Sequence, residues 1–342
     1  MNANVLVYGA YGHTGRFVVA ELLRRGLTPV LSGRDPARLA KMTAEFPGLE
    51  ARSATVNGAH ELDNAVRGTT LVLNCAGPFL DTAVPVAAAA VRARAHYLDV
   101  TAEQAAAQNL YRAYGERQEA ADVAVIPAMA FYGGIADLLA TSAMAGWDTA
   151  DQITVAYGID RWWPTGGTRN TGRRNTATRL AVSDGRLVPA PSSAPPRDWD
   201  FPGVLGNQTV ASHPFAEIVT MARHLAASRI ETYLATAALE DIQDPATPAP
   251  QAADESGRSA QRFVVDVIVR RGEEERRVSA AGRDIYAVTA PLVAEAATRL
   301  TDGRAKARGA AAPGEIFDAA DFLTALSPHH LTIRREAPRS RG

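Results

Sequence analysis

The 342-residue sequence predicts an α/β protein whose first half is a parallel sheet covered by helices on both faces. Three observations predict this class. Short, continuous apolar runs alternate with helical patterns as far as Ala128. Three glycines, Gly9, Gly12 and Gly15, stand between the first apolar run and the first helix. The chain is also too long for one ordinary core and fits two domains.

NVLVYG is short and apolar throughout, as expected of a strand covered on both sides. GRFVVAELLRRG follows as a helix, with Phe17, Ala20, Glu21 and Arg24 at helical spacing and Gly26 at its C-cap. TPVLSGR is the second strand. Asp35 before Pro36 reads as an N-cap with proline at N1, opening the helix PARLAKMTAEF. Residues 50–56 give a third strand, AHELDNAVRG a helix ending at Gly68, and TTLVLNCAG a fourth strand. VPVAAAAVRARA is helical, HYLDVT a strand, EQAAAQNLYRAYGERQEAA a helix and VAVIPA a strand. Sheets of this kind bind ligands at the carboxyl ends of their strands.

The glycines sit where a dinucleotide fold places them, after a strand and at the opening of a helix. Gly9 allows the sharp turn, Gly12 lets backbone approach a pyrophosphate, and Gly15 permits close helix–strand packing. The helix N-terminus offers free amides and a partial positive charge to the phosphates. Tyr11, His13 and Thr14 lie in the same turn and are assigned to the cofactor with the glycines. The spacing is GxxGxxG rather than GxGxxG, a variant of the Rossmann fingerprint. A tight turn with no ligand is the competing reading.

The end of the second strand selects the cofactor. An NAD site places a carboxylate there, whereas this chain has Ser32, Gly33 and Arg34. Arg34 can pair with a 2′-phosphate, and Arg38 follows one helical turn on. Asp35 is first a helix cap, so NADP is favoured over NAD. At the end of the fourth strand Cys75, Ala76, Gly77 and Pro78 leave room for the nicotinamide ribose to rest on backbone. No base is evident near Cys75, which reads as a small buried residue rather than a nucleophile.

In this order and at these spacings, GAYGHTGRFV, LSGRDPARL, NCAGPF and HYLDVTAE resemble the NADP-binding domain of the saccharopine dehydrogenase-like oxidoreductases, a group that includes trans-acting enoyl reductases. EIVTMARHLAASRIETYL, GRDIYAVTAPLVAEAATRL and APGEIFDAADFLTAL resemble later segments of the same family. The resemblance implies a Rossmann domain (residues 1–128), an inserted mixed α/β substrate or dimerisation domain (129–284), and C-terminal helices (285–330) that return to the first domain. A tail would occupy 331–342. AMAFYGGIADLLA departs from the family's Gly-Phe-Asp-Ser-type sequence near the expected substrate pocket. The substrate therefore cannot be carried over.

In the second half, DQITVAYGI is a strand and WWPTGGTRNTGRRNTATRL a Gly/Thr/Arg-rich loop entering a helix or strand near Ala177. RLAVSDGRLVP is a hairpin turning at Asp184-Gly185, and RFVVDVIVRRGEEERRVSAAG a second hairpin around Arg271 and Gly272. APSSAPPRDWDFPG reads as a surface loop, residues 243–257 as a mobile low-complexity loop, and REAPRSRG as a disordered tail.

Hydride chemistry needs a positioned nicotinamide and often a proton donor. Tyr132, Glu103 and Asp99 follow parallel strands and are the catalytic candidates. The bland alternatives are packing for Tyr132, a first-turn charge for Glu103 and a cap for Asp99. Trp163, Arg169 and Arg173 are substrate candidates, together with Trp162 and Arg174, the arginines as clamps for an anion and the tryptophans as a pocket mouth or domain interface, against a solvated charged loop. His96 and His224 read as structural, and Asp137 as a first-turn helix charge.

No HExxH, CxxC or GxSxG motif occurs, so no metal site and no nucleophile elbow is expected. With 36 basic and 37 acidic residues, the chain has no electrostatic case for nucleic acid or an anionic membrane. The alanine-rich segment is broken by arginines short of a membrane span. One cysteine and no basic leader suggest a cytoplasmic protein, with a homodimer as the expected assembly. The expected function is NADPH-dependent reduction of a C=N or C=C bond in a small or carrier-bound substrate. The alternative is a non-catalytic NADP-binding sensor or scaffold.

Overall fold

The computed structural model describes residues 4–115, 122–191, 195–305 and 308–340. The chain opens with strand β1 (Val5–Tyr8), helix α1 (His13–Arg24), β2 (Pro29–Gly33), α2 (Pro36–Glu45), β3 (Ala51–Ser53) and α3 (Ala59–Val66). It continues with β4 (Leu71–Asn74), α4 (Phe79–Arg92), β5 (His96–Asp99), α5 (Gln104–Tyr114) and β6 (Ala124–Ile126). A wide turn, Phe131–Ile135, leads into α6 (Ala136–Ala143). Next come β7 (Thr149–Ile159), α7 (Gly166–Arg174), β8 (Leu180–Ser183), β9 (Arg186–Pro189), β10 (Arg197–Phe201), β11 (Gly206–Ser212) and α8 (Glu217–His224). β12 (Ala226–Ala235), α9 (Thr236–Gln243), β13 (Arg262–Arg271), β14 (Glu274–Arg283) and α10 (Thr289–Thr301) follow. The chain closes with β15 (Gly309–Ala310), α11 (Pro313–Ile316), α12 (Ala319–Leu326), β16 (Thr332–Arg335) and β17 (Arg339–Ser340).

The first sheet is parallel throughout, in the order β15-β6-β5-β4-β1-β2-β3. β1 and β4 are fully buried along their length, which is why their sequences are apolar without alternation. Asp35 caps α2 by accepting from the amides of Ala37 and Arg38, with Pro36 at the first helical position. His96 Nδ1 accepts from the Ala124 amide and ties β5 to β6, a structural role. The last residues of the predicted α5 pattern, 116–121, lie outside the described residues.

The second sheet runs β10-β11-β12-β7-β13-β14-β16, with β12 and β7 parallel and the other neighbours antiparallel. The β8–β9 turn has left-handed Asp184 (φ 50°) and Gly185 (φ 70°), as an Asp-Gly hairpin requires. The C-terminal part returns to the first domain: α10 packs along α1, and β15 adds a strand beside β6. Glu295 on α10 pairs with Arg25 at 2.7 Å and with Arg299 at 2.8 Å, fastening α10 to the end of α1.

Four expectations are corrected. The Gly/Thr/Arg-rich segment contains α7, capped by Thr165 Oγ1, which accepts from the Thr168 amide. The proline-rich loop contains an edge strand, β10, paired with β11. Residues 243–257 are held in place. Arg169 donates to the carbonyls of Asp244 and Thr247, and Arg283 pairs with Asp254 at 2.5 Å. The tail is not free either, because Arg339–Ser340 pair with Glu274–Glu275 of β14.

Candidate active site

A cavity of about 880 Å³ lies at the carboxyl ends of the first sheet and reaches across to the second. Its floor is the β1–α1 turn. Gly9 has φ +82°, and a Cβ there would stand 2.9 Å from Ala76. A Cβ on Gly15 would stand 2.3 Å from the Gly9 carbonyl oxygen, so no larger residue fits where α1 meets β1. The Gly12 amide is used within the turn, donating to the Gly9 carbonyl. Gly12 is the N-cap of α1 but supplies no side-chain cap, and the first turn of α1 carries no acidic side chain. An uncapped helix start above a glycine cradle is a fitting seat for a diphosphate.

The adenosine end is built by Tyr11, Gly33, Arg34 and Arg38. The Arg38 guanidinium lies over the Tyr11 ring, 4.3 Å from its centroid, and the Tyr11 hydroxyl accepts from the Asp35 amide. Arg34 is exposed and makes no salt bridge among the described residues. Ser32 does not reach the cavity: it is buried, its hydroxyl donates to the Arg52 carbonyl, and its own carbonyl accepts from Gly9 and Ala10. Its position inside β2 points it into the sheet.

At the other end, residues 75–79 form a shelf beneath the second domain. Burial pushes the Cys75 thiol up to about 12, so it is no thiolate at neutral pH. Glu103 borders the cavity and is 1% exposed. Its two carboxylate oxygens accept from the amides of Phe79 (2.8 Å) and Leu80 (3.2 Å), capping α4 from outside. Burial raises its pKa against those two hydrogen bonds. Asp99 does not border the cavity. It is fully buried and accepts from the amides of Ala128 and Thr101 and from the Tyr97 hydroxyl, which makes it a brace between β5 and β6. Burial raises it to about 6.

The far wall is aromatic. Tyr132 stacks on Phe215 at 3.9 Å between centroids and leans on Trp162 at 5.4 Å. It is 7% exposed, and its hydroxyl has no hydrogen-bond partner among the described residues. Burial raises its pKa well above the ordinary value, so it stays protonated. His13 packs edge-on to Phe17 and Tyr286, and burial lowers its pKa. Its Nε2 is also without a partner among the described residues.

Of the residues read from the tryptophan–arginine stretch, Trp162 and Arg174 line the cavity, and Trp163, Arg169 and Arg173 do not. Trp162 lines the cavity and donates from Nε1 to the Tyr286 hydroxyl; Trp163 does not line it. Every residue of α7 except Arg169 and Arg173 lines the cavity, so those two lie on the other side of the helix. Arg169 instead holds the carbonyls of residues 242–247. Arg179, His213 and Phe215 also line the cavity and were not foreseen. Nothing local in the sequence marks these three.

Comparison with known proteins shows what this cradle resembles. The family model described as the saccharopine dehydrogenase NADP-binding domain matches residues 5–127. The chain is 28% identical over 143 residues to a probable mitochondrial saccharopine dehydrogenase-like oxidoreductase of Arabidopsis thaliana, covering 37% of this chain and 32% of that one. It is 27% identical over 153 residues to a saccharopine dehydrogenase-like oxidoreductase of Bos taurus, covering 40% and 36%. The aligned part is thus about a third of the length of these relatives. Among solved structures, apo saccharopine dehydrogenase (L-Glu forming) from Saccharomyces cerevisiae matches with a TM-score of 0.67 at 14% identity, covering 98% of this chain and all of that one. The saccharopine dehydrogenase fold thus extends over both sheets. No helix among the described residues is long and apolar enough to cross a membrane.

Proposed function

We propose that the chain is an NADPH-dependent oxidoreductase that reduces a C=N or C=C bond of a small or carrier-bound substrate. The observation that carries this reading is continuity: one cavity joins the glycine cradle of the first domain to the aromatic wall of the second. When bound, the nicotinamide supplies the hydride.

In this reading the start of α1 seats the diphosphate, with Tyr11, His13 and Thr14 around it, and Arg34 pairs with the 2′-phosphate beside Arg38. Residues 75–78 support the nicotinamide ribose. Glu103 acts as a positioning residue: its carboxylate fixes the amides that follow this shelf. Tyr132 is the proton donor, because the residue lines the cavity and its hydroxyl is protonated and without a partner among the described residues. The rings of Trp162 and Phe215 keep water from the reacting bond. A reducing cytoplasmic setting fits the single thiol.

The test is NADPH oxidation followed by absorbance against a panel of imines and enoyl thioesters. Turnover on either class is the expected result, and which class reacts settles the bond reduced. Tight NADPH binding with no turnover on any of them would support the non-catalytic sensor instead.

A further inference from the structure

The end of the cavity farthest from Arg34 has an unusual balance of charge. Two carboxylates border the cavity, Asp81 and Glu103, and both are engaged. Asp81 pairs with Arg174 at 2.5 Å, and Glu103 takes two backbone amides. No carboxylate lining the cavity is therefore left to receive a substrate ammonium. Of the lining arginines, Arg34 and Arg38 stand at the adenosine end and Arg174 is neutralised by Asp81.

Arg179 differs from these three. It sits over the Phe215 ring at 5.7 Å and donates one hydrogen bond, at 2.8 Å, to the Pro214 carbonyl. It makes no salt bridge among the described residues, and the charge of the buried Glu217 acts on it only from beyond ion-pair distance. Its neighbour His213 is held neutral, pushed down to about 3 by burial and by the charge of Arg179 itself. A guanidinium with most of its five donors unused, set against an aromatic wall, is a receptor for one carboxylate or phosphate. On the wall beside it the buried Tyr132 hydroxyl is without a hydrogen-bond partner among the described residues.

We propose that this site takes a substrate with an apolar body and a single anionic group, and that Arg179 receives the anion. The inference rests on the oxidoreductase reading for its biological meaning. The binding preference itself can be measured without turnover. A zwitterionic amino acid with several carboxylates is a poor fit, because it brings more negative charge than Arg179 can pair and an ammonium that finds no partner.

The test is calorimetric titration of the full chain with phenylbutanoate, its primary amide and glutarate, each with and without saturating NADP⁺. Phenylbutanoate is expected to bind about tenfold or more tightly than its amide, as a charge-assisted pair predicts, and more tightly than glutarate. Arg179→Gln should abolish the preference for acid over amide while leaving amide binding intact, which shows that the pocket is folded. Arg179→Lys should restore part of the preference. Equal binding of acid and amide, a preference for glutarate, discrimination that survives Arg179→Gln, or no binding of phenylbutanoate overturns the proposal. Loss of NADP⁺ binding with the acid preference retained would sink the oxidoreductase reading and leave this one standing.

Discussion

Arg34 and Tyr132 make opposite demands on their surroundings. Arg34 is exposed and without a salt bridge among the described residues, which suits a side chain waiting for a phosphate. Arg34→Ala should weaken NADPH by about 1.5–3 kcal/mol and NADH far less, as read by fluorescence titration with each cofactor. An equal loss for both would remove the 2′-phosphate from its role. Tyr132 is buried, and its hydroxyl has no partner among the described residues. Tyr132→Phe should lower kcat by about 100-fold or more and leave NADPH affinity unchanged. A kcat within a few-fold of the parent would make Tyr132 a packing residue. The sequence puts both residues just after a parallel strand, and both line the cavity. Asp99 was placed by the same rule yet braces the sheet, because strand position gives the end of the sheet but not which way a side chain turns.

At the scale of elements, the strands and helices of the first domain were readable because fully buried parallel strands leave uninterrupted apolar runs. α7 was not. Three of its nine residues are glycine, none is buried, and it has no apolar stripe. Tertiary contacts hold it: Arg169 grips residues 242–247, Arg174 pairs with Asp81, and Thr171 Oγ1 stands where a Cβ on Gly77 would come within 2.9 Å. The same contacts order a segment whose composition reads as mobile. Arg169→Ala should therefore cost on the order of 1–2 kcal/mol in urea unfolding. It should also raise the substrate KM, since α7 lines the cavity. Unchanged KM and stability would show that α7 holds itself in place. β10 and β17 escaped notice as short edge strands next to prolines or charges, which is how edges are commonly protected.

Across the whole molecule, one buried contact joins parts of the chain that are distant in sequence. Asp137 on α6 is fully buried and accepts from the Gly314 amide at 2.6 Å and from His224 Nε2 at 3.2 Å. It thereby pins the start of α11 to α6 and α8. Burial alone would push the His224 pKa down, but the charge and hydrogen bond of Asp137 outweigh it, and the net shift is upward. Because the folded value is raised, the stability from this pair is fully present below the usual histidine pKa, about 6.5. It is lost as pH rises through the folded value. The Tm difference between the parent and His224→Gln should accordingly shrink from about pH 6 to about pH 9. A difference that stays constant over that range would mean the imidazole is not charged in the fold. The cooperation of the two domains was not visible in any local pattern, since it depends on contacts between segments far apart in the chain.

The first sheet is closed at one edge by two residues, Gly309–Ala310, laid beside β6. During synthesis the whole second domain leaves the ribosome before that edge can be covered. Until then the β6 border is a row of open amides and carbonyls, available to any passing strand. Nascent chains halted before residue 309 should thus be the species that chaperones hold, even though every glycine of the nucleotide turn has long been in place.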